Sequence, residues 1–324
     1  MYQLAEIPSR AGLGWGRTAQ VKWGAPMYRF ALLLALLASS TSAPAGTGAE
    51  IAYSVGREIY LVNPDGSGKR LLYRGATKTS IFAISMKRDG GELSFEEASS
   101  SGQTGQLITI AYGNSGLGQV IRSVSGCRFD VDTRPDGALL VVELNCGGVV
   151  KYAAPGSSNL QPVGVPRQAS KVAWMPDGSF LYASEGKIWQ ATLTNPSGTA
   201  ITNQDCVQSI NTANAASEAL VAVGQACNGP RIDRMLVPSG TATHIAAGPD
   251  AAYSQDDKCY VFVAPPQRRG SFLMMARIDG VGSSVQVGNS ANYGSVDWRG
   301  DSQPGSCPML TSGAMQFREV KSTP

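Results

Sequence analysis

Val172-Ala173-Trp174-Met175-Pro176-Asp177-Gly178-Ser179-Phe180-Leu181-Tyr182-Ala183 is an apolar run, a tight polar turn and a second apolar run. The same plan recurs at Lys87-Arg88-Asp89-Gly90, Arg134-Pro135-Asp136-Gly137, Asn214-Ala215-Ala216-Ser217, Ser254-Gln255-Asp256-Asp257 and Arg299-Gly300-Asp301. The six markers recur roughly every 40 to 47 residues, the period of a four-stranded propeller blade. A second set of turns lies between them, at Asn63-Pro64-Asp65-Gly66-Ser67-Gly68, Gly113-Asn114-Ser115-Gly116, Ala154-Pro155-Gly156, Asn195-Pro196-Ser197-Gly198, Pro238-Ser239-Gly240 and Asp279-Gly280. Two turn registers in agreement, with short Val/Ile/Leu/Tyr runs and few helical patterns, specify an all-β domain with no internal boundary.

Blade one has three strands at the start of the repeat: Ile51-Ala52-Tyr53-Ser54, Glu58-Ile59-Tyr60-Leu61-Val62 and Arg70-Leu71-Leu72-Tyr73. Its missing strand is expected to be Gly294-Ser295-Val296-Asp297-Trp298, from near the C-terminus. The expected fold is therefore a six-bladed β-propeller over residues 50–300, closed by a C-terminal strand that joins the first blade and so removes an open sheet edge.

The stretch Ile51-Ala52-Tyr53 through Glu58-Ile59-Tyr60-Leu61-Val62-Asn63-Pro64-Asp65-Gly66-Ser67-Gly68 resembles a TolB-type propeller repeat, as does Val172 to Gly178. The resemblance covers nearly all of Glu50 to Gly300. The fifth unit, without Asp-Gly, is recognised by its place in the series. TolB carries an additional α/β domain before its propeller. Here the first blade follows almost directly on a presumed cleavage site, so the resemblance is to the repeat and not to TolB itself.

That cleavage site belongs to residues 27–45. Met27-Tyr28-Arg29 followed by the apolar run Phe30 to Ala38 has the form of a signal peptide, with small residues at Thr41, Ala43 and Ala45 and a run too short to span a bilayer. Residues 1–26 read as an upstream extension from a misassigned start, and residues 301–324 as a C-terminal tail. Without residues 1–43, the 27 basic and 24 acidic side chains fall by four and one, to 23 of each. A neutral chain lacks the long-range attraction that nucleic acid or an anionic membrane surface requires. The expectation is a periplasmic or secreted monomer without stable membrane insertion, whose partner is a periplasmic or extracellular protein or a small ligand.

Secretion makes the six cysteines a disulfide framework. Cys127 and Cys146 lie symmetrically about Asp136-Gly137, and Cys206 and Cys227 about Ala216-Ser217. In a hairpin with a two-residue turn each pair would face across neighbouring strands, at disulfide separation. Cys259 and Cys307 remain, a bridge that would tie the tail to the last blade. Zinc is disfavoured by the absence of any Cys-x-x-Cys.

Catalysis finds little support. His244 is the sole histidine and sits on an outermost strand, there is no Gly-x-Ser-x-Gly elbow, and the glycines fall at turns between strands, so no cofactor motif is present. Asp132 and Asp297 occupy one repeat position on innermost strands, where Ser85, Ala173, Thr212 and Ala252 stand in the other blades. Asp132, Asp297, Ser85 and Thr212 are thus the candidate ligand-binding residues of the central channel, set against a role in capping backbone N–H groups. Trp174 and Trp298 share the next position and are expected to fill the core between blades. The loop Pro265-Pro266-Gln267-Arg268-Arg269-Gly270 is a solvated turn or a partner contact. The function expected is a non-catalytic binding module, the alternative a carbohydrate-active or metal-dependent hydrolase using channel carboxylates.

Overall fold

The computed structural model describes residues 50–299 apart from 88–90, 100, 103, 114, 115, 228, 266–269 and 281. The proposed leader, the tail, Cys307 and most of the Pro265–Gly270 loop lie outside the described residues. Blade one holds β1 (Glu50–Val55), β2 (Glu58–Val62) and β3 (Arg70–Arg74), and blade two β4 (Thr79–Met86), β5 (Glu92–Ser99), β6 (Gly105–Ala111) and β7 (Gln119–Gly126). Blade three comprises β8 (Phe129–Thr133), β9 (Leu139–Glu143), β10 (Val149–Ala153) and β11 (Gln161–Pro162), and blade four β12 (Lys171–Trp174), β13 (Phe180–Ser184), β14 (Lys187–Ala191) and β15 (Thr199–Asn203). Blade five comprises β16 (Val207–Thr212), β17 (Glu218–Val223), β18 (Arg231–Leu236) and β19 (Ala242–Ala246). Blade six has β20 (Ala251–Tyr253), β21 (Cys259–Val263), β22 (Ser271–Arg277) and β23 (Val285–Ala291), and β24 (Tyr293–Arg299) completes blade one in the order β24-β1-β2-β3. The predicted closure is therefore present, with Tyr53 opposite Val296 and Glu50 opposite Arg299. No described helix is long and apolar enough to cross a membrane.

Alternation within each strand builds the ring. In β9, Leu139 and Val141 pack towards blade two, whereas Leu140 and Val142 pack towards blade four. Because both faces of an inner strand are covered, its sequence is a continuous apolar run and not an alternating one. The junction of blades six and one gathers Ile51, Tyr53 and Trp298 with Val261, Leu273 and Met275. Blades four and five meet through Leu181, Ile188 and Val221.

The marker turns close as their residues dictate. In blade four the Gly178 N–H reaches the Met175 carbonyl at 3.1 Å, Asp177 Oδ1 accepts from the Ser179 N–H at 2.9 Å, and Gly178 adopts φ 82°, a conformation that glycine reaches without penalty. Blade five lacks such an aspartate, and blade six supplies one: Asp257 accepts from the Asn214 and Ala215 N–H groups at 2.7 Å each. Asp257 stands where other units have glycine, with φ 55°, one of the left-handed positions that aspartate tolerates.

Two disulfides join Cys127 to Cys146 and Cys206 to Cys227, each with Cα atoms 5.9 Å apart. The facing-strand register expected for them is corrected. The last ladder pair of β8 and β9 is Phe129 with Glu143, so Cys127 and Cys146 lie just beyond both strands, and Cys227 ends a 3₁₀ turn (Gln225–Cys227) after β17. The hairpin loop from Arg134 to Ala138 is longer than two residues, and that moves the register. Both bridges clasp the ends of hairpins where innermost strands begin. Replacing Cys127 and Cys146 by serine is expected to lower stability by about 2–4 kcal/mol, through the loop entropy of the denatured chain, in urea melts of the non-reduced proteins.

Candidate functional site

The innermost strands β24, β4, β8, β12, β16 and β20 surround a cavity of about 440 Å³ that opens on the face where these strands begin. Asp130, Asp132, Asp250 and Asp297 line it, with Lys171 among them. Each carboxylate is held by backbone N–H groups that a strand at the inner edge of a blade leaves without a ladder partner.

Asp132 Oδ1 accepts from the Ser85 hydroxyl of blade two at 2.8 Å, and its Oδ2 accepts from the Trp174 N–H of blade four at 2.7 Å. Ser85 in turn accepts from the Thr133 N–H at 2.8 Å. Asp297 Oδ2 accepts from the Met86 N–H at 2.7 Å, while its Oδ1 takes the Trp298 N–H at 2.9 Å and the Asn211 amide at 3.2 Å. The pattern is a forward step: a side chain of one blade holds the backbone of the next. Ala173 of blade four cannot make that step, and Thr212 of blade five reaches back to donate to the Trp174 carbonyl. Asn211 then carries the forward step, accepting from the Tyr253 N–H of blade six at 3.0 Å.

A second tier lies nearer the mouth. Asp130 bridges blades three and four, accepting from the Val172 N–H at 2.9 Å and pairing with Lys171 Nζ at 2.9 Å. Asp250 bridges blades six and one, its Oδ2 accepting from the Val296 N–H at 2.9 Å and the Ser295 hydroxyl at 2.8 Å. Burial pushes the Asp130 carboxyl above the usual carboxylate range, with Lys171 opposing the shift, and burial likewise raises Asp250 against its hydrogen bonds. At the rim, fully buried Glu96 accepts from Arg128 through both oxygens, at 2.5 and 2.9 Å, and from the Phe129 N–H at 2.8 Å. The Arg128 guanidinium lies 4.5 Å from the centre of the Phe82 ring.

The four residues expected from the sequence thus all sit on innermost strands, and Ser85 and Asp132 touch. Asp130, Asp250, Asn211, Lys171 and Glu96 were not anticipated. Asp130 shares the β8 face of Asp132 by two-residue alternation, the one signal that pointed to it. Trp174 and Trp298 are buried in the junction cores. His244 is exposed on β19, with Nδ1 3.4 Å from Asp233 Oδ1. Among the described residues no group of three or more His, Cys, Asp or Glu side chains is placed to hold a metal ion.

No family model matches the chain, and no curated protein sequence matches it. Its fold is that of crystal structures of TolB. TolB from Acinetobacter baumannii superposes with TM-score 0.65 at 12% identity, over 82% of this chain and 70% of that one. A putative TolB from Agrobacterium tumefaciens gives 0.53 at 14%, over 74% and 89%. The GH74 enzyme of Niastella koreensis gives 0.50 at 11%, over 75% of this chain and 46% of that one. Identities this low establish a common architecture, which both enzymes and other proteins use.

Proposed function

We propose that this protein is a non-catalytic binding module of the periplasm or extracellular space, which holds a protein segment or small ligand at the channel mouth. The observation that carries the reading is the occupation of the channel acids. Both oxygens of Asp130, Asp132, Asp250 and Asp297 accept hydrogen bonds from residues of the same or a neighbouring blade. A general acid, base or nucleophile must turn an oxygen to the substrate, whereas each of these already holds a donor of the protein, and one bond on every carboxylate crosses a blade boundary. The mouth above them offers exposed Gln208, the Phe82–Arg128 stack and Lys171, a mixture of apolar and polar groups suited to recognition. Two disulfides at hairpin ends on that face accord with an oxidising compartment.

The test is capture from a periplasmic extract, quantified by mass spectrometry, with the wild type beside Phe82→Asp and Gln208→Arg. Each mouth variant is expected to weaken retention of the principal partner about tenfold or more. Retention unchanged in both, or turnover of a polysaccharide that Asp132→Asn and Asp297→Asn abolish, would overturn the reading.

A further inference from the structure

Among the described residues, the three most exposed large apolar side chains fall within five consecutive positions: Leu117, Val120 and Ile121, at 62, 55 and 52%. They stand at and just before the start of β7, the outermost strand of blade two, whose outer edge has no ladder partner. Every blade ends in such an edge, and most are guarded. Arginines close both ends of β3, β11 is two residues long and ends in Pro162, and β15 and β19 stop at five residues. Charge, proline and shortness are the means by which sheet edges avoid pairing with another chain. In contrast, β7 runs for eight residues, and its one charged side chain, Arg122, is 5% exposed and so withdrawn from the edge.

The sequence here is symmetric about the bond between Val120 and Ile121. Leu117-Gly118-Gln119-Val120-Ile121-Arg122-Ser123-Val124 has its large apolar residues at the same places read in either direction. An antiparallel copy laid along the edge therefore sets Val120 and Ile121 against the same two residues, and Leu117 against Val124. The faces agree as well. A bulge brings Arg122 opposite Thr109 and Gln119 opposite Ala111, two residues apart on β6, so Gln119 and Arg122 share one face. Across a two-fold axis at the bulge, Arg122 meets Gln119 of the second copy, an uncharged side chain whose amide oxygen accepts. Arg122 Nη1 has no acceptor among the described residues. The stretch holds no other charge that would repel the copy.

We propose that a second copy of this chain pairs antiparallel along β7, so that blade two of each continues as one eight-stranded sheet about a two-fold axis. An edge of this length buries less area than a permanent dimer requires, so the dimer forms and parts with concentration. It uses the outer wall and is independent of what the channel mouth binds. Sedimentation velocity of the folded protein over rising concentration tests it. The wild type is expected to pass from monomer to dimer below about 1 mM. Ile121→Lys, at an exposed side chain that the core does not use, is expected to weaken the dimer about tenfold or more. Leu236→Lys, at an exposed apolar residue of blade five, is expected to leave it unchanged. Gln119→Glu is expected to tighten it about threefold and Gln119→Lys to weaken it by as much, because each faces Arg122 of the second copy. A protein that stays monomeric up to about 1 mM would keep the monomer expected from the sequence and overturn the proposal. Equal weakening by Ile121→Lys and Leu236→Lys would remove β7 as the contact, and changes of one sign in the two Gln119 variants would refute the register.

Discussion

A chain ending at Asn292 is expected not to fold, and Trp298→Ala in the full chain to lose about 3–5 kcal/mol. Both follow from what β24 supplies. Its ladder runs from Tyr293 opposite Val55 to Arg299 opposite Glu50, and it is the sole β-sheet partner of β1 on the channel side. Trp298 is fully buried against blade six, in the cluster with Val261 and Leu273. Losing the strand also deprives the Met86 N–H of Asp297 and the Ile84 N–H of Ser295, and leaves Asp250 without the Val296 N–H. A domain stabilised by about 5–15 kcal/mol cannot absorb a lost core strand together with several orphaned buried polar groups. Far-ultraviolet circular dichroism and urea melts decide the matter. Cooperative unfolding of the truncated chain at wild-type denaturant would show that closure is dispensable.

Glu96→Ala is expected to cost about 3–5 kcal/mol, as removing one partner of a buried ion pair does. The carboxylate is fully buried and answers both the Arg128 guanidinium and the Phe129 N–H, so its removal leaves a partly buried cation and a buried donor without their acceptor. Glu96→Gln keeps an acceptor for one of them and is expected to recover part of the loss. Its neighbour Glu97 faces the other way, accepting from the Tyr73 hydroxyl, the Ala76 N–H and the Thr79 hydroxyl at 2.7 Å each, and so binds blade two to blade one. A Glu96→Ala protein that melts within about 1 kcal/mol of the wild type would show that Arg128 finds other support.

These glutamates mark the limit of what the sequence alone discloses. Blade number, closure and two cysteine pairs were legible because they rest on period and symmetry, which turn residues such as Asp177-Gly178 write directly into the sequence. Asp132, Asp297, Ser85 and Thr212 were legible as one repeat position for the same reason. That Asp132 and Asp297 cap inner-edge N–H groups was foreseen as the alternative to ligand binding; which blade each reaches was not, since an innermost strand meets its neighbours across blade boundaries some forty residues apart in the chain. Glu96 and Glu97 carry no such repeat signal, and their roles appear only once adjacent blades are known to cover both faces of β5. The cap on the Asn214 turn was equally hidden, because Asp257 belongs to a different repeat. The cysteine register failed by a purely local margin: one extra residue between Arg134 and Ala138 for the first pair, and an irregularity in β16 with the 3₁₀ turn after β17 for the second.

Glu50 and Arg299 are ladder partners, so the first and last described residues of the ring meet on one sheet. Topologically the propeller is a loop whose opening is a matter of where the chain happens to be cut. Joining those two positions and severing a surface connection elsewhere, such as Gln204-Asp205 between blades four and five, would preserve every strand pairing while leaving no blade assembled from both ends. The order of blades around the axis is thus a property of the circle, and the position of the ends a detail laid over it.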